Sequence, residues 1–178
     1  MPIAFIDTSF YMPCCLPSPS SAAAKQILED PAYTHYIAEL AMVEWISAAA
    51  KTLRESKITR RHLEDGYNKL LLDIATKRIR VFPTIPGLYD KAIHVLRYAA
   101  VTEKRALRTL DALILVTAID VAHHAQQKID FFLSDERFAN LVKDLEISKD
   151  YVDVKLVQHS PEPPPSFLTR CKRAWRAF

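Results

Sequence analysis

Short apolar runs alternate with longer amphipathic segments along this chain of 178 residues, and that alternation restricts the fold more than any other feature. Five runs have the length and composition of buried strands, and they cover residues 2–7, 33–38, 79–83, 129–134 and 151–157. A parallel connection between strands needs a crossover, usually a helix, that covers one face of the sheet. The pattern therefore predicts a three-layer α/β/α fold with a central parallel β-sheet.

Capping residues and apolar spacing predict the helices between these strands. They cover about residues 21–29, 39–55, 59–77, 86–100, 109–126 and 136–145. Thr59 and Thr109 are expected to be N-caps, and the prolines at 13, 17 and 19 predict a loop after the first strand. Val43 and Ile46 are counted among the apolar positions of the helix at 39–55.

The glycine content excludes several classes of nucleotide-binding and hydrolytic enzyme. Gly66 and Gly87 are the only glycines in the chain. A Walker loop, a dinucleotide-binding GxGxxG turn and a nucleophile elbow each need several glycines close together. Enzymes of those types are therefore excluded.

Cysteine content and apolar run lengths indicate the compartment. Cys14, Cys15 and Cys171 have neither zinc-site spacing nor the pattern of a secreted disulfide framework. The longest uncharged apolar run, residues 112–119, is too short to span a bilayer. We expect a cytoplasmic protein without a membrane partner. Its formal net charge of +3 is compatible with a nucleic-acid partner but does not establish one.

Four carboxylates occur where an apolar core is expected. Asp7 and Asp135 follow predicted strands, Asp111 opens an apolar helix, and Glu44 interrupts the apolar run at 40–46. Taken singly, Asp7 suits a turn, Asp111 a first helical turn and Asp135 a position after a capping serine. Glu44 has no such explanation, because it lies near the apolar face of its helix. One divalent-cation site explains all four, and such a site can hydrolyse a phosphodiester.

Hydroxyl and basic residues near these acids are candidates for supporting roles. Thr8, Ser9 and Ser134 can orient a metal-bound water, although hydroxyls at strand ends more often cap helices. Lys104, Arg105 and Arg108 precede Asp111 in the chain and can bind phosphates that flank the cleaved bond. A solvated basic loop explains these three equally well.

The composition changes after residue 158. Residues 161–165 contain four prolines, which predicts a stiff linker, and residues 166–178 are basic and aromatic. We divide the chain into a domain at 1–158 and a linker with a C-terminal tail at 159–178. The tail either extends a track for RNA or forms an amphipathic helix that docks on this protein or a partner, anchored by Trp175 and Phe178.

The motifs around the acids resemble those of the PIN-domain nucleases. The matching segments are Phe5-Ile6-Asp7-Thr8-Ser9, Glu44 within a helix, Leu110-Asp111-Ala112-Leu113-Ile114, and Leu133-Ser134-Asp135-Glu136-Arg137-Phe138. The resemblance covers roughly residues 2–157. It implies that Asp7, Glu44, Asp111 and Asp135 bind Mg²⁺ or Mn²⁺ in a ribonuclease.

The same resemblance extends to small VapC-type toxins, which implies a homodimer, an RNA substrate and a cognate antitoxin. The chain departs from the family at Leu133, where a hydroxyl residue is common, so Glu136 is a candidate to share or replace part of the role of Asp135. The proline-rich linker and tail also extend beyond the family core.

Two other functions remain open at this point. The first is a non-catalytic PIN-like module that binds RNA or protein, which a missing acid would favour; all four are present. The second is a phosphatase with Asp7 as nucleophile. That class is expected to have a second aspartate two residues later, where this chain has Ser9.

Overall fold

The computed structural model describes residues 1–18 and 21–157, and it confirms the parallel α/β/α architecture. The strands are β1 (Ile3–Ile6), β2 (Thr34–Ala38), β3 (Arg80–Phe82), β4 (Ile129–Leu133) and β5 (Val152–Leu156). They form one sheet in the order β3-β2-β1-β4-β5, and every neighbouring pair is parallel. The order places β1 at the centre, with β2 on one side and β4 on the other. The predicted linker and tail at 159–178 lie outside the described residues.

Helices connect the strands and cover the sheet. They are α1 (Thr8–Cys15), α2 (Ser21–Leu28), α3 (Glu39–Arg54), α4 (Arg60–Ala75), α5 (Leu88–Val101), α6 (Thr109–Ala125) and α7 (Glu136–Asp144), followed by a 3₁₀ turn at Glu146–Ser148. Helix α6 is buried along most of its length, as its apolar sequence predicts. No helix in the described part of the chain has the length and apolar character that crossing a membrane requires.

The loop predicted after the first strand is wrong. Residues 8–15 form α1, with Pro13 inside the helix, and Asp7 caps it by accepting a hydrogen bond from the Ser9 N–H at 2.9 Å. Proline disfavours a helix interior because it lacks an N–H donor. Burial of Phe10 and Tyr11 in the core outweighs that local preference.

Two local predictions about helices α3 and α6 are also wrong. Val43 and Ile46 are exposed, by 71% and 38%, and the face of α3 that packs inward carries Ala41, Trp45 and Ala49 instead. These three residues repeat every four positions and therefore share one side of the helix. The N-cap of α6 is Arg108, and Thr109 is already the first helical residue.

A close approach between α1 and α4 fixes the position of α1 beside the sheet. A Cβ atom on Gly66 would lie 2.8 Å from Leu16 Cδ2 and 3.1 Å from the carbonyl oxygen of Cys15. Any larger residue at this position would require Leu16 and the end of α1 to shift. The contact holds the end of α1, whose first turn carries the residues that follow Asp7.

Candidate active site

Two of the predicted acids lie at the carboxyl ends of neighbouring strands. Asp7 follows β1 and caps α1, and Asp135 follows β4 and caps α7 by accepting a hydrogen bond from the Phe138 N–H at 3.0 Å. The backbone N–H of Asp7 also donates to the carbonyl of Phe132 at 2.9 Å. Ligand sites in parallel sheets form at this edge. Sequence reasoning proposed Ser134 as a cap, whereas Asp135 caps α7 itself.

Ser9 connects the two strand ends through its hydroxyl group. Its Oγ donates to Asp7 Oδ2 and accepts hydrogen bonds from the backbone N–H groups of Ser134, at 3.0 Å, and Asp135, at 3.3 Å. One side chain therefore sets the spacing between Asp7 and the loop that carries Asp135. Ser134 contributes its backbone N–H to this arrangement.

Glu44 is held beside the first turn of α1 by Thr8. The Thr8 hydroxyl donates to Glu44 Oε2 at 2.6 Å, which joins the first turn of α1 to α3. Glu44 is half-buried, and α3 directly follows β2, the other neighbour of β1. Asp111 approaches from the first turn of α6.

The electrostatics of the site show that three of the acids interact. Burial raises the pKa of Asp7, and the charge of Asp111 raises it further. Burial likewise raises the pKa of Glu44, to about 7, and the charges of Asp7 and Asp111 add to this effect. Such a cluster is unfavourable without a cation, because each ionised carboxylate destabilises the others.

Arg137 supplies a positive charge at this site, and sequence reasoning missed it. Its guanidinium group donates to Asp111 Oδ2 and lies 3.8 Å from Asp135 Oδ2. Arg137 therefore links the acid of α6 to the acid before α7. It lies two residues after Asp135 within the Asp-Glu-Arg-Phe segment, but no sequence pattern indicated that it would reach Asp111.

The chemistry of the donors fits a hard divalent cation. Carboxylate oxygens are the preferred ligands of Mg²⁺ and Mn²⁺, and a bound cation would favour the ionised forms that burial disfavours. Among residues 1–18 and 21–157, no three His, Cys, Asp or Glu side chains form a ready coordination group. Asp111, one of the candidate ligands, is paired with Arg137 in this arrangement.

A groove extends from Glu44 along α3. It has a volume of about 570 Å³, and its lining includes Glu44, Lys51, Arg54 and Arg108. Of the predicted phosphate-binding residues, Arg108 lies in this groove, whereas Arg105 pairs with Asp144 at 2.7 Å and Lys104 is exposed in the loop before α6. Sequence reasoning missed Lys51. Its position two helical turns after Glu44 on α3 was the signal that could have placed it on the same side of the helix.

Glu136 directly follows Asp135 in the chain. It is exposed in the first turn of α7, and within the described ranges it makes no hydrogen bond or ion pair with the other candidate site residues. Leu133 is fully buried in β4, where a hydroxyl group would be costly without a hydrogen-bond partner. In place of a side-chain hydroxyl, the backbone N–H of Ser134 in the loop after β4 donates the hydrogen bond to Ser9 Oγ.

The comparisons with known proteins identify the family and agree with the fold. The PIN domain family model matches residues 4–144, and the chain belongs to that family. No curated protein matches the chain in sequence. The structure of VapBC2 from Rickettsia felis, bound to a DNA fragment from the promoter, is similar at a TM-score of 0.56 and 13% identity, covering 85% of this chain and 98% of that one. The structure of VapC20 from Mycobacterium tuberculosis, a Sarcin-Ricin loop cleaving toxin, is similar at a TM-score of 0.54 and 16% identity. The match covers 77% of this chain and 93% of that one.

Proposed function

We propose that this protein is a Mg²⁺- or Mn²⁺-dependent endoribonuclease and the toxin of a VapBC-type toxin–antitoxin pair. The observation that carries the proposal is the mutual electrostatic effect of Asp7, Glu44 and Asp111 at the carboxyl edge of the sheet. Membership of the PIN domain family supports it. The similarity to a toxin that cleaves the Sarcin-Ricin loop supports RNA as the substrate.

Asp7, Asp111 and Asp135 are the residues that would hold the cation. When bound, the ion neutralises charge on the phosphoryl oxygens and lowers the pKa of a water molecule. Glu44 accepts a proton from the attacking water, since a bound cation would keep its carboxylate ionised and therefore able to act as a general base. The Thr8 hydroxyl holds Glu44 in the orientation that this step needs.

The groove beside Glu44 binds the RNA backbone. Lys51, Arg54 and Arg108 line it together with the apolar residues Leu40 and Val43. Basic side chains neutralise phosphates without reading sequence. Single-stranded or looped RNA is the proposed substrate, since its backbone is accessible.

A protein antitoxin and a second copy of the chain are the proposed partners. The similarity to a VapBC structure supports an antitoxin, and the VapC-type resemblance supports a homodimer. A non-catalytic binding module is less favoured, because it would have no need for a glutamate half-buried beside two aspartates.

Cleavage of single-stranded RNA in Mg²⁺, in Mn²⁺ and in chelator tests this function. We expect activity only with a divalent ion, and we expect Asp111→Asn to reduce it about a hundredfold or more, since it removes a carboxylate from the cation site. Asp65→Asn is the matched control, because Asp65 is an exposed aspartate in the Arg61 ion pair on α4. Activity that persists in chelator, or in Asp111→Asn at the native level, would refute the proposal.

Charge reversal in the groove is expected to weaken substrate binding more than turnover. The double variant Lys51→Glu/Arg54→Glu should raise KM for RNA about tenfold with little change in kcat, because it removes phosphate contacts and leaves the acids in place. Arg60→Glu/Arg61→Glu on α4 makes the same charge change at exposed positions outside the groove. Equal effects of the two double variants would show that net charge, and not the groove, attracts RNA.

A further inference from the structure

A second cleft lies between α5, α6 and the segment before β5. It has a volume of about 450 Å³, and its lining includes His94, Val95, Val116, Ile119, Asp120 and Tyr151. A smaller hollow of about 260 Å³ continues along α5 and shares His94 and Ile147 with the first. The two together form an elongated, largely apolar depression, which we call the α5–α6 cleft.

Asp120 is an unusual residue to find in an apolar wall. Its side chain is buried, with the residue 4% exposed, and its Oδ1 accepts a hydrogen bond from Lys91 Nζ at 2.6 Å. Its Oδ2 is buried and has no hydrogen-bond partner in the described part of the chain. A buried carboxylate oxygen without a donor is costly, so this atom indicates a ligand that supplies one.

The α5–α6 cleft is separate from the candidate active site. Asp120 lies nine residues after Asp111 on α6, which is about 14 Å along a helix axis. It is near the carboxyl end of α6, whereas the acids gather at the opposite end. None of the residues in the proposed RNA groove lines the α5–α6 cleft.

The lining defines the chemistry of the occupant. Much of the wall is apolar, and its charged residues are Asp90, Asp120, Lys91 and Arg97. Of these, Asp120 has a buried carboxylate oxygen that no other described residue pairs. An occupant with an apolar surface and one strong hydrogen-bond donor for Asp120 therefore matches the cleft. A guanidinium group is the best donor for Asp120, because it forms strong, directional bonds with carboxylates.

The C-terminal segment of this chain has that composition. Four of the 24 basic residues and one of the 21 acidic residues follow Val157, so the formal net charge of +3 resides in that segment. Its apolar residues occur roughly at helical spacing, and they are Phe167, Leu168, Cys171, Trp175 and Phe178. A helix over 166–178 would be about 20 Å long, and the stretch of α5 along the cleft, from Asp90 to Thr102, is about 18 Å.

We propose that residues 166–178 dock in the α5–α6 cleft of their own chain, with an arginine donating to Asp120 and with Trp175 and Phe178 against the apolar wall. The linker between Val157 and this segment is long enough to reach the cleft. The described chain ends at Val157, at the far end of β5 from Tyr151, so the linker must run back about 20 Å along the strand. Eight residues of proline-rich chain span about 25 Å.

Fluorescence of Trp175 in the full chain tests the docking. Trp45 is fully buried, so subtracting the spectrum of Trp175→Phe isolates the signal of Trp175. Docking predicts a blue-shifted emission for Trp175 and weak quenching by acrylamide, independent of protein concentration. Asp120→Asn should raise the fraction of undocked tail about tenfold, because it removes the charged acceptor.

Two further variants keep the test decisive if Asp120→Asn does not fold. Val101→Lys places a positive charge, like those of the tail, at an exposed wall position of the cleft and should also release the tail. Lys143→Asn changes charge on α7, outside the cleft, and should leave the tail docked. Emission typical of exposed tryptophan in the native chain would overturn the proposal. A blue shift that appears only at high protein concentration would also overturn it, since the occupant would be a second copy. A shift that appears only with added RNA would assign the tail to RNA binding instead.

Discussion

Replacing Asp7 with asparagine is expected to lower kcat/KM for RNA about a thousandfold while leaving the fold intact. Asp7 is a buried acid at the centre of the candidate site, and the substitution removes its negative charge. Asparagine is as good an N-cap as aspartate, and its Oδ1 can still accept the hydrogen bonds from the Ser9 N–H and hydroxyl. Rate measurements in saturating Mn²⁺, together with a thermal unfolding curve, separate loss of chemistry from loss of structure.

Asp30→Asn is the matched control for this change. Asp30 also accepts a backbone hydrogen bond, from the Ala32 N–H at 2.9 Å, but it lies in an exposed turn outside the site. Both variants should unfold near the native temperature, and only Asp7→Asn should lose activity. Native-level cleavage by Asp7→Asn would remove Asp7 from the cation site.

Glu44→Gln is expected to stabilise the metal-free protein above about pH 7. Burial raises the pKa of Glu44 from 4.5 to about 7, so between these pH values the unfolded chain loses the proton more readily than the folded one. Stability therefore falls as pH rises through that window, and the loss is complete above it. The full shift corresponds to about 3 kcal/mol, which solvent access to this half-buried group reduces to roughly 2 kcal/mol. Glutamine has no proton to lose, so it avoids this loss.

Urea unfolding in chelator at several pH values measures the difference. Glu44→Gln and the native protein should have similar free energies of unfolding near pH 4.5, and the variant should gain as pH rises. Glu55→Gln, after the end of α3, is the control, because Glu55 is exposed and its pKa is lowered by Lys57. A gain for Glu44→Gln that does not vary with pH would point to packing and not to ionisation.

Most of the strands and helices were predictable because their signals are local. The strands lie in short segments rich in apolar residues, and Thr59 caps α4 as its position predicts. The exception, α1, depends on tertiary contacts: Pro13 is accommodated because Phe10 and Tyr11 are buried against the rest of the core. Exposure of Val43 and Ile46 is likewise decided by which side of α3 meets the sheet.

The candidate site was predictable to the extent that charge in an apolar context is informative. Asp7 and Asp135 follow strands, and a parallel sheet brings such positions to one edge. Glu44 stood out because a half-buried carboxylate needs compensation. Arg137 could not be recognised from the sequence, because its approach to Asp111 depends on how α7 and α6 are placed in space.

The sheet order also determines when in synthesis the site can exist. Strand β1 is made first, yet its second edge stays open until β4, more than a hundred residues later, pairs with it. A nascent chain that ends before β4 lacks Asp135 and the backbone contact from Phe132 to Asp7. A growing polypeptide thus carries only part of the proposed catalytic centre until the domain is nearly complete.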